Sequence, residues 1–453
     1  MINEKFQIAI SPTLTLRQCI ERIRENKNGF VFLVDQSFKA IGLLTDGDVR
    51  NAFLSGATTE SLADLYVNRN FRSLPKGATR EQLLRLLDYN IKFVPIIDDG
   101  RIVDIKTTAD LHYTEQEHVI ARSKSPARIS FGGGGTDLTS FFLTYGGAVL
   151  NATIDMYAHC TLKRRNDPSI RIFSHDYNRV LEVESAQSLR YDGNLDLIKA
   201  AIKLLNPSFG FELEVGANFP PSSGLGGSSV VAVAVIGCFN QLRSDKLDTH
   251  AIAELAFQAE RIELNHSGGW QDQYASAFGG FNFMEFRTNR NEINTLKISS
   301  DVINELEDRL LLCYSGKSHP FNSIHAEQKR KMVDQKEITK FAERARDIAY
   351  EMKFHLIRGN LQQFGYLMHE NWTLKKNFSS GISDPELDSL YDFGVENGAV
   401  GGKILGAGGG GYFLFQAASG ERRSLMQAFA SKGLETRTLK FDNEGLRSWL
   451  VRD

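Results

Sequence analysis

Cysteine is scarce in this sequence, and its few copies follow no metal-binding pattern. The 453 residues include four cysteines, Cys19, Cys160, Cys238 and Cys313. No two of them stand at the short spacing of zinc or iron–sulfur ligands, and each has apolar neighbours,. The ten histidines form no pair at metal spacing either. We therefore expect reduced, buried thiols and a cytoplasmic protein.

Long apolar runs and an excess of one charge are also missing. The longest run of small apolar residues, VVAVAVIGCF at 230–239, is shorter than the ~20 residues of a membrane span,. The opening residues MINEKFQIAI lack the apolar segment of a signal peptide,. A formal net charge of −2 argues against a general nucleic-acid binder, because such proteins carry a basic excess,. The composition, 42% hydrophobic and 24% charged, is typical of a globular chain of about two to four domains,.

An internal repeat occupies the first quarter of the chain. Residues 11–50 and 74–111 each contain a helical apolar pattern, an apolar strand, a polar turn and a second strand that ends in T-x-x-D,. The threonine and aspartate of this ending are Thr45 and Asp48, then Thr107 and Asp110. A helix and two short strands cannot bury both faces alone. We therefore expect the two copies to pack together as one unit.

Glycine becomes frequent after Arg122 and forms three clusters. No G-x-x-x-x-G-K-[ST] string is present, which excludes a P-loop,. The third cluster, GAGGGG at 406–411, has the spacing of a dinucleotide-binding loop. However, it precedes YFLFQ, which is typical of a strand, whereas a dinucleotide-binding loop opens a helix. A Rossmann-type site is therefore excluded.

The first cluster, FGGGGTD at 131–137, follows a strand-like segment and ends in Asp137. An aspartate repels a phosphate but accepts hydrogen bonds from sugar hydroxyls. The pattern therefore favours a sugar-binding loop. The alternative is a flexible glycine turn whose aspartate caps a helix.

The second cluster, PPSSGLGGSS at 220–229, precedes an apolar helical segment rich in alanine and valine. Glycines let backbone N–H groups converge, and a helix N-terminus adds partial positive charge, which suits a triphosphate. The serine hydroxyls at the helix start are candidate Mg²⁺ ligands. The alternative is a simple N-cap on a buried helix.

Two carboxylates, Glu260 and Asp272, follow this segment. Glu260 lies late on a predicted helix among small apolar residues, and Asp272 follows Gly268 and Gly269, which permit a close approach. Such a pair can serve a metal ion and a reacting hydroxyl. From spacing alone, a surface salt-bridge role is equally compatible.

Taken in order, the three clusters resemble the three motifs of the GHMP small-molecule kinase superfamily, over roughly residues 122–453. The repeat resembles a tandem CBS-domain pair, over about residues 5–115. These resemblances imply an α+β, two-lobed GHMP kinase fold preceded by a tandem CBS pair. The implied domains are the CBS pair at 1–117, the N-terminal lobe at 118–303 and the C-terminal lobe at 304–453.

The kinase resemblance also implies roles for individual residues. It assigns nucleotide binding to the loop Ser222, Ser223, Gly224, Leu225, Gly226, Gly227, Ser228 and Ser229. Within this loop Ser228 is the expected Mg²⁺ ligand together with Glu260, and Asp272 falls on the catalytic aspartate. The implied cofactors are ATP and Mg²⁺. In the CBS pair, Thr45, Asp48, Thr107 and Asp110 are expected to hold an adenine nucleotide, unless the pair serves only for dimerisation.

The acceptor site is implied in the same way. The expected substrate-binding residues are Arg128, Gly134, Gly135, Thr136, Asp137, Lys375, Gly408 and Gly409. Galactokinase-like sequences carry glutamate and histidine where this chain has Gly134 and Gly135, which argues against galactose. The substrate's own phosphate needs cations; Lys317, Lys376 and Lys403 are candidates, and Lys375 and Arg128 are preferred.

The segments FGGGGTD, QDQYASAFGG (271–280) and GAVGGKILGAGGGG (398–411) resemble the D-glycero-D-manno-heptose 7-phosphate kinases. This branch implies phosphorylation of the anomeric hydroxyl, giving the 1,7-bisphosphate for nucleotide-activated sugar and polysaccharide synthesis. Two alternatives stay open: a kinase for another sugar such as fucose, and a non-catalytic sugar or nucleotide sensor. We expect a small sugar phosphate and a regulatory adenine nucleotide as partners, no nucleic acid, no membrane, and a homo-oligomer.

Overall fold

The computed structural model describes residues 9–26, 29–37, 39–87, 91, 93–107, 119–317, 324, 327–328, 330–331 and 336–451. The chain divides into two compact units, residues 1–116 and 117–453, beside the division predicted after residue 117. Among the described residues, no helix combines the length and apolar composition needed to cross a membrane.

The first unit contains the two copies of the repeat. The first copy comprises β1 (Ala9–Ile10), α1 (Leu16–Asn26), β2 (Phe30–Val34), β3 (Ala40–Thr45) and α2 (Asp46–Leu54). The second comprises β4 (Leu74–Pro75), α3 (Arg80–Leu86), β5 (Phe93–Asp98) and β6 (Arg101–Thr107). In each copy the short first strand pairs in parallel with the second, and the second pairs antiparallel with the third. The predicted repeat is therefore confirmed as a structural repeat.

The two copies share a hydrophobic cluster. Phe30 of the first copy stacks on Phe93 of the second, with ring centroids 3.6 Å apart. Phe32 joins the same cluster as the buried Ile102 and Ile105. These contacts remove from water the sheet faces that neither copy can cover alone. The prediction that the copies pack as one unit is confirmed.

Thr45 and Asp48 form a capping box at the start of α2. The Thr45 hydroxyl accepts from the Asp48 N–H at 3.2 Å, and Asp48 Oδ2 accepts from the Thr45 N–H at 2.8 Å,. The capping box gives the first T-x-x-D motif a structural role at the start of α2. That this motif also binds a nucleotide stays a prediction. In the second copy Asp110 lies outside the described residues, and Thr107 is described only as the last residue of β6.

The second unit contains two sheets. Its strands are β7 (Ile120–Gly132), β8 (Gly147–Arg164), β9 (Ile170–Ser174), β10 (Arg179–Val183), β11 (Phe211–Ala217), β12 (Phe281–Phe286), β13 (Asn291–Thr295), β14 (Leu310–Tyr314), β15 (Ala399–Ile404), β16 (Tyr412–Ala417), β17 (Thr436–Arg437) and β18 (Arg447–Leu450). In the larger sheet the order is β10-β9-β11-β8-β12-β13, with β7 also on β8 and β18 on β7. The smaller sheet has the order β15-β16-β14-β17.

Ten helices of the described residues cover these sheets. They are α4 (Thr139–Tyr145), α5 (Asp196–Leu205), α6 (Gly227–Asn240), α7 (Thr249–Phe257), α8 (Gln271–Phe278), α9 (Ser300–Arg309), α10 (Lys336–Ile357), α11 (Leu361–Lys375), α12 (Pro385–Glu396) and α13 (Arg422–Ser431). Helix α6 is apolar on nearly all sides and is buried against β7 and β8,. This burial holds its N-terminal turn, the end of the second glycine cluster, in a fixed place.

The path of the chain departs from a simple division at residue 303. Helix α9 crosses that position, and β18 pairs with β7 in the larger sheet. The final strand therefore belongs to the sheet that begins the second unit. All four cysteines are buried and free, as predicted from their apolar neighbours. Burial raises the pKa of the Cys19 thiol to about 11.

Candidate active site

A cavity of about 680 Å³ in the second unit lies where the three glycine clusters meet. Thirteen predicted residues line it: Arg128, Gly134, Gly135, Asp137, Ser222, Ser223, Gly224, Gly226, Gly227, Ser228, Glu260, Asp272 and Lys375. Five other predicted residues do not line it: Thr136, Leu225, Ser229, Gly408 and Gly409. The cavity has the size of a small-molecule site.

Glu260 is a buried carboxylate surrounded by hydrogen-bond donors. It lies in a π-helical turn, Gln258–Glu263, that follows α7,. The Ser228 hydroxyl donates to its Oε1, and the Ser229 hydroxyl and Gln273 Nε2 donate to its Oε2 at 2.8 Å each. Arg261 lies 3.3 Å from Oε1. The surface salt-bridge alternative is therefore wrong for Glu260, and the predicted metal-binding pair of Ser228 and Glu260 is in direct contact.

The loop before α6 depends on glycine at two positions. Gly224 has φ +83°, and a Cβ there would lie 2.7 Å from the carbonyl oxygen of Leu405. Gly226 has φ +76°, and a Cβ there would lie 3.2 Å from Asp272 Oδ2. The first turn of α6 follows at once, with N–H groups that have no partner within the helix. This geometry suits an anion more than a simple side-chain N-cap, since no side chain caps α6,.

Two residues of the predicted nucleotide loop point elsewhere. Leu225 is completely buried in the core, and only its backbone takes part, with its carbonyl accepting from the Arg128 N–H at 3.3 Å. Ser229 is also buried, with its hydroxyl on Glu260. Both side chains therefore face the protein, while the neighbouring Ser228 is exposed. Nucleotide binding by the backbone at Leu225 and Ser229 stays a prediction.

Arg128 clamps the predicted catalytic aspartate. Its Nε and Nη2 donate to the two carboxylate oxygens of Asp272 at 2.8 and 2.7 Å, and its Nη1 donates to the Gly224 carbonyl at 2.7 Å. A bidentate pair of this kind fixes both orientation and charge. Its guanidinium thus joins Asp272 to the glycine loop at Gly224, and a contact of Arg128 with the substrate's phosphate stays a prediction.

Asp137 joins the first glycine cluster to α8. Its carboxylate accepts from the N–H groups of Gly135 and Gln271, at 3.1 Å each. A Cβ at Gly269 would lie 1.9 Å from Asp137 Oδ2, so only glycine permits this approach. Burial, and then the charge of Asp272, raise the pKa of Asp137. Asp137 does not cap the following helix α4, but it accepts from the first N–H of α8, so the helix-capping alternative stays open.

The glycines of FGGGGTD have different tasks. A Cβ at Gly132 would lie 2.7 Å from Met352 Sδ, and one at Gly133, where φ is +76°, would lie 1.9 Å from the Ala148 carbonyl oxygen. A Cβ at Gly134 would meet only Ser130 Oγ at 3.5 Å, Gln271 Nε2 at 3.9 Å and Lys403 Nζ at 4.0 Å. Gly132 and Gly133 therefore allow close packing, while Gly134 leaves space on the cavity side.

Thr136 and the third cluster also differ from expectation. The Thr136 hydroxyl is buried within hydrogen-bond distance of the carbonyls of Gly133 and Ala148, at 2.8 and 2.9 Å. The Gly409 N–H donates to the Ile382 carbonyl at 2.8 Å, and a Cβ at Gly408 would lie 2.8 Å from Ile382 Cα. These three residues therefore pack behind the residues that line the cavity, and their role in substrate binding stays a prediction. Gly406 and Ala407 of the third cluster line the cavity instead.

Two lysines bring buried positive charge to the cavity. Lys375 donates to the Gly406 carbonyl, and burial, together with the charge of Arg128, lowers its pKa to about 8. Lys403 lies 3.3 Å from the Phe131 carbonyl oxygen, and burial lowers its pKa well below the usual value. The other candidates are partly exposed: Lys317 pairs with Asp384 and Glu386, and Lys376 with Asp388.

Sequence reasoning missed Ser130 and Gln271. Both are buried and line the cavity, and neither Ser130 Oγ nor Gln271 Oε1 has a hydrogen-bond partner among the described residues. One signal was available for Ser130, because alternate residues of a strand share a face and Ser130 stands two residues after Arg128. An apolar wall was missed as well. It comprises Leu195, Ile198, Val215, Phe219 and Val231.

Comparisons with known proteins agree with this site. Residues 196–280 match the family described as the GHMP kinases N terminal domain, residues 354–432 match the GHMP kinases C terminal domain, and residues 6–55 match the CBS domain. The first copy of the repeat thus carries the CBS match.

Individual relatives extend the comparison. D-glycero-alpha-D-manno-heptose 7-phosphate kinase of Campylobacter jejuni is 36% identical over 336 residues, which cover 73% of this chain and 99% of that protein. L-fucokinase/L-fucose-1-P guanylyltransferase of Bacteroides fragilis is 27% identical over 363 residues, 71% of this chain but only 37% of that longer protein. The crystal structure of a D-glycero-D-manno-heptose 1-phosphate kinase from Bacteroides thetaiotaomicron has a TM-score of 0.61 at 29% identity. It covers 74% of this chain and 100% of that one.

The family matches, the extent of the Campylobacter match and the cavity built from the three motifs lead to one assignment. The expected two-lobed α+β fold and the kinase activity are thereby confirmed, and a non-catalytic sensor is set aside. The chain belongs to the GHMP family of ATP-dependent kinases and carries an N-terminal CBS domain.

Proposed function

We propose that this kinase transfers the γ-phosphoryl group of ATP to the anomeric hydroxyl of D-glycero-D-manno-heptose 7-phosphate. The observation that carries the proposal is the bidentate pair of Arg128 and Asp272 beside the loop at Gly224, which puts a fixed carboxylate next to a phosphate-binding turn. The choice of acceptor is supported by the activity of the Campylobacter jejuni relative. The product, a 1,7-bisphosphate, would serve nucleotide-activated sugar and polysaccharide synthesis.

The nucleotide occupies the end of the cavity formed by residues 222–228. The glycines at 224 and 226 turn the backbone toward the bound phosphates, and the first turn of α6 supplies N–H donors and partial positive charge,. The apolar wall that includes Phe219 and Val231 gives the adenine ring a surface to pack against,.

Ser228 and Glu260 have the chemistry of a magnesium site. Mg²⁺ prefers oxygen ligands and is usually held by one or two carboxylates together with substrate phosphates. Among the described residues, no cluster of three or more His, Cys, Asp or Glu side chains is arranged for a metal, so the phosphates of ATP would complete the ligand set. When bound there, Mg²⁺ supplies neutralisation of phosphate charge.

Asp272 is the proton acceptor of the reaction. The acceptor hydroxyl oxygen forms a bond to the γ-phosphorus while the bond from that phosphorus to the β–γ bridging oxygen breaks, and ADP leaves. The hydroxyl proton passes to Asp272, which Arg128 holds in one orientation. An anomeric hydroxyl is more acidic than an ordinary alcohol, so the carboxylate need not be unusually basic. Phosphoryl transfer depends on alignment and charge neutralisation, which this arrangement provides.

Fucose is the second acceptor to consider, since a fucokinase is among the relatives. Fucose is neutral, whereas two buried lysines, Lys375 and Lys403, face this cavity. Buried ammonium groups are costly unless an anion accompanies them. The cavity therefore favours a phosphorylated acceptor.

A regulatory adenine nucleotide on the first unit is a further part of the proposal. It is supported by the CBS match over residues 6–55 and by the ordered Thr45 and Asp48 at the start of α2. The check is whether AMP, titrated into the full chain with saturating ATP, changes kcat in the unaltered protein but not in Asp48→Ala.

A panel assay tests the kinase proposal. ADP release is followed with heptose 7-phosphate, heptose 1-phosphate, L-fucose and no acceptor, and the products are identified by ³¹P NMR. We expect turnover with heptose 7-phosphate and a new phosphate ester at the anomeric carbon. Turnover restricted to fucose, or to the 1-phosphate whose anomeric oxygen is already esterified, would overturn the assignment.

A further inference from the structure

The two buried lysines of the cavity face different sides. Lys375 donates to the Gly406 carbonyl, and Gly406 is so close to the phosphate loop that its Cβ would lie 2.8 Å from Gly224 Cα. Lys403 instead lies 3.3 Å from the Phe131 carbonyl oxygen and 3.5 Å from Asn371 Oδ1. One ammonium group therefore belongs to the phosphate-loop side, and the other to the side of the first glycine cluster.

The two carboxylates on the phosphate-loop side have arginine partners, whereas Lys403 has no ion-pair partner among the described residues. Asp272 has Arg128 as its ion-pair partner, and Glu260 has Arg261. The charges of Lys375 and Arg128 disfavour a charged Lys403, while the carboxylate of Asp137 favours it. Asp137 is itself engaged by two backbone N–H groups. A buried ammonium in this setting is stabilised when a ligand brings an anion.

Three polar groups surround the space beside Gly134. From the point where a Cβ of Gly134 would sit, Ser130 Oγ is 3.5 Å away, Gln271 Nε2 3.9 Å and Lys403 Nζ 4.0 Å. Each of these groups can donate a hydrogen bond, and Ser130 Oγ has no partner among the described residues although it is buried,. Buried polar groups without partners inside a cavity are expected to meet a ligand.

We infer that this space, bounded by Ser130, Gly134, Gln271 and Lys403, is the subsite for the phosphate that the acceptor already carries. A phosphate only accepts hydrogen bonds, which matches a set of three donors, whereas sugar hydroxyls also donate and match the carboxylate of Asp137. Lys375, on the loop side, then acts on the phosphoryl group that is transferred. The inference rests on the proposed function in taking the acceptor to be a phosphorylated sugar.

A matched set of lysine variants tests this division. With heptose 7-phosphate, Lys403→Met should raise the acceptor KM about 10- to 100-fold, the size of a lost charge-assisted hydrogen bond, and leave the ATP KM unchanged. Lys375→Met should instead lower kcat. Lys376→Met is the control, because that lysine pairs with Asp388 outside the cavity. A Lys403→Met enzyme with unchanged acceptor KM, or with a raised ATP KM, would overturn the inference.

A second variant, Ser130→Ala, keeps the inference testable if Lys403→Met does not fold. Ser130→Ala removes a hydroxyl that has no protein partner among the described residues, so its thermal unfolding should match that of the unaltered protein,. It should raise the acceptor KM about three- to tenfold, the value of one hydrogen bond. An unchanged acceptor KM in this folded variant would contradict the assignment of Ser130 to the subsite.

A direct measurement of phosphate binding tests the phosphate subsite independently of whether heptose 7-phosphate is the acceptor. The nucleotide site is first filled with a non-hydrolysable ATP analogue and Mg²⁺, and inorganic phosphate is then titrated by calorimetry. We expect phosphate to bind the unaltered protein and Lys376→Met, and to bind Lys403→Met at least tenfold more weakly. Equal binding by all three proteins would remove the subsite, whether or not heptose 7-phosphate is a substrate. Absence of heptose turnover with this binding pattern intact would remove only the proposed acceptor.

Discussion

The two ends of the kinase cavity are both rich in glycine but are built on different principles. At the nucleotide end the carboxylates already have protein partners, as Asp272 does in Arg128 and Glu260 does in Arg261 and the Ser228 hydroxyl. At the acceptor end, Ser130 and Lys403 are buried with few or weak contacts among the described residues. The first end is preorganised for a ligand common to many kinases, whereas the second is completed by its own substrate. Specificity should therefore reside at the acceptor end.

The largest expected effect is at the preorganised end. Asp272→Asn removes the proton acceptor and weakens the clamp by Arg128, so kcat should fall by about 10²- to 10⁴-fold. ATP affinity, measured by calorimetry, should change little, because the loop and the Ser228–Glu260 pair are untouched. Turnover near that of the unaltered enzyme would remove Asp272 from the mechanism.

Two neighbouring glycines give the next contrast. Gly133→Ala would place a Cβ 1.9 Å from a backbone carbonyl at a φ of +76°, so the free energy of unfolding should fall by roughly 2–5 kcal/mol,. Gly134→Ala meets nothing closer than 3.5 Å, so stability should be nearly unchanged while the acceptor KM rises,. Denaturant unfolding and steady-state kinetics on both variants check this. Equal destabilisation would mean that Gly134 is a packing residue like Gly133.

A pH profile tests the role of the Lys375 charge on the phosphate-loop side. The pKa of Lys375 is lowered to about 8, chiefly by burial, so the side chain is charged below that pH and neutral above it. If its charge assists transfer, kcat/KM should fall about tenfold for each unit of pH above 8. Lys375→Arg keeps the charge at all these pH values, and its profile should stay flat there. An unchanged alkaline limb in Lys375→Arg would exclude Lys375 as its source.

The smallest expected effect lies in the first unit. Thr45→Ala removes the hydroxyl that caps α2 and should lower the stability of that unit by about 1 kcal/mol, with no change in kinase turnover when no regulatory nucleotide is present,. Thermal unfolding and steady-state turnover measure the two quantities. A large loss of basal activity would contradict the view that the catalytic cavity is complete within the second unit.

The sequence predicted which residues meet but not always which way they face. The motifs gave Ser228, Glu260, Asp137 and Asp272 correctly as neighbours of one site, because each motif encodes a local turn with a fixed ending. The contact of Arg128 with Asp272 joins residues 144 positions apart and depends on how β7 and α8 pack. No local pattern specifies that contact, so the sequence alone does not predict it.

For a similar reason, the sequence does not predict which residues of the glycine clusters face the cavity and which face other protein segments. The register between β7 and β8 shifts between Ser130 and Gly132, which alters the alternation expected of a regular strand,. This irregularity coincides with the point where Gly132 and Gly133 approach other chain segments and Gly134 opens to the cavity. The third cluster likewise packs Gly408 on Ile382, a contact that exists only in the folded unit. The residues of a glycine motif do not by themselves distinguish glycines that pack closely against other protein segments from glycines that leave space for a substrate.

One ratio tests the central claim most directly: kcat/KM for D-glycero-D-manno-heptose 7-phosphate over kcat/KM for the same heptose without its phosphate. If Lys403 and its neighbours hold that phosphate, the ratio should be about 10² or more, as expected for a buried charge-assisted contact with several donors. A ratio near one, or a preference for the unphosphorylated sugar, would contradict this account.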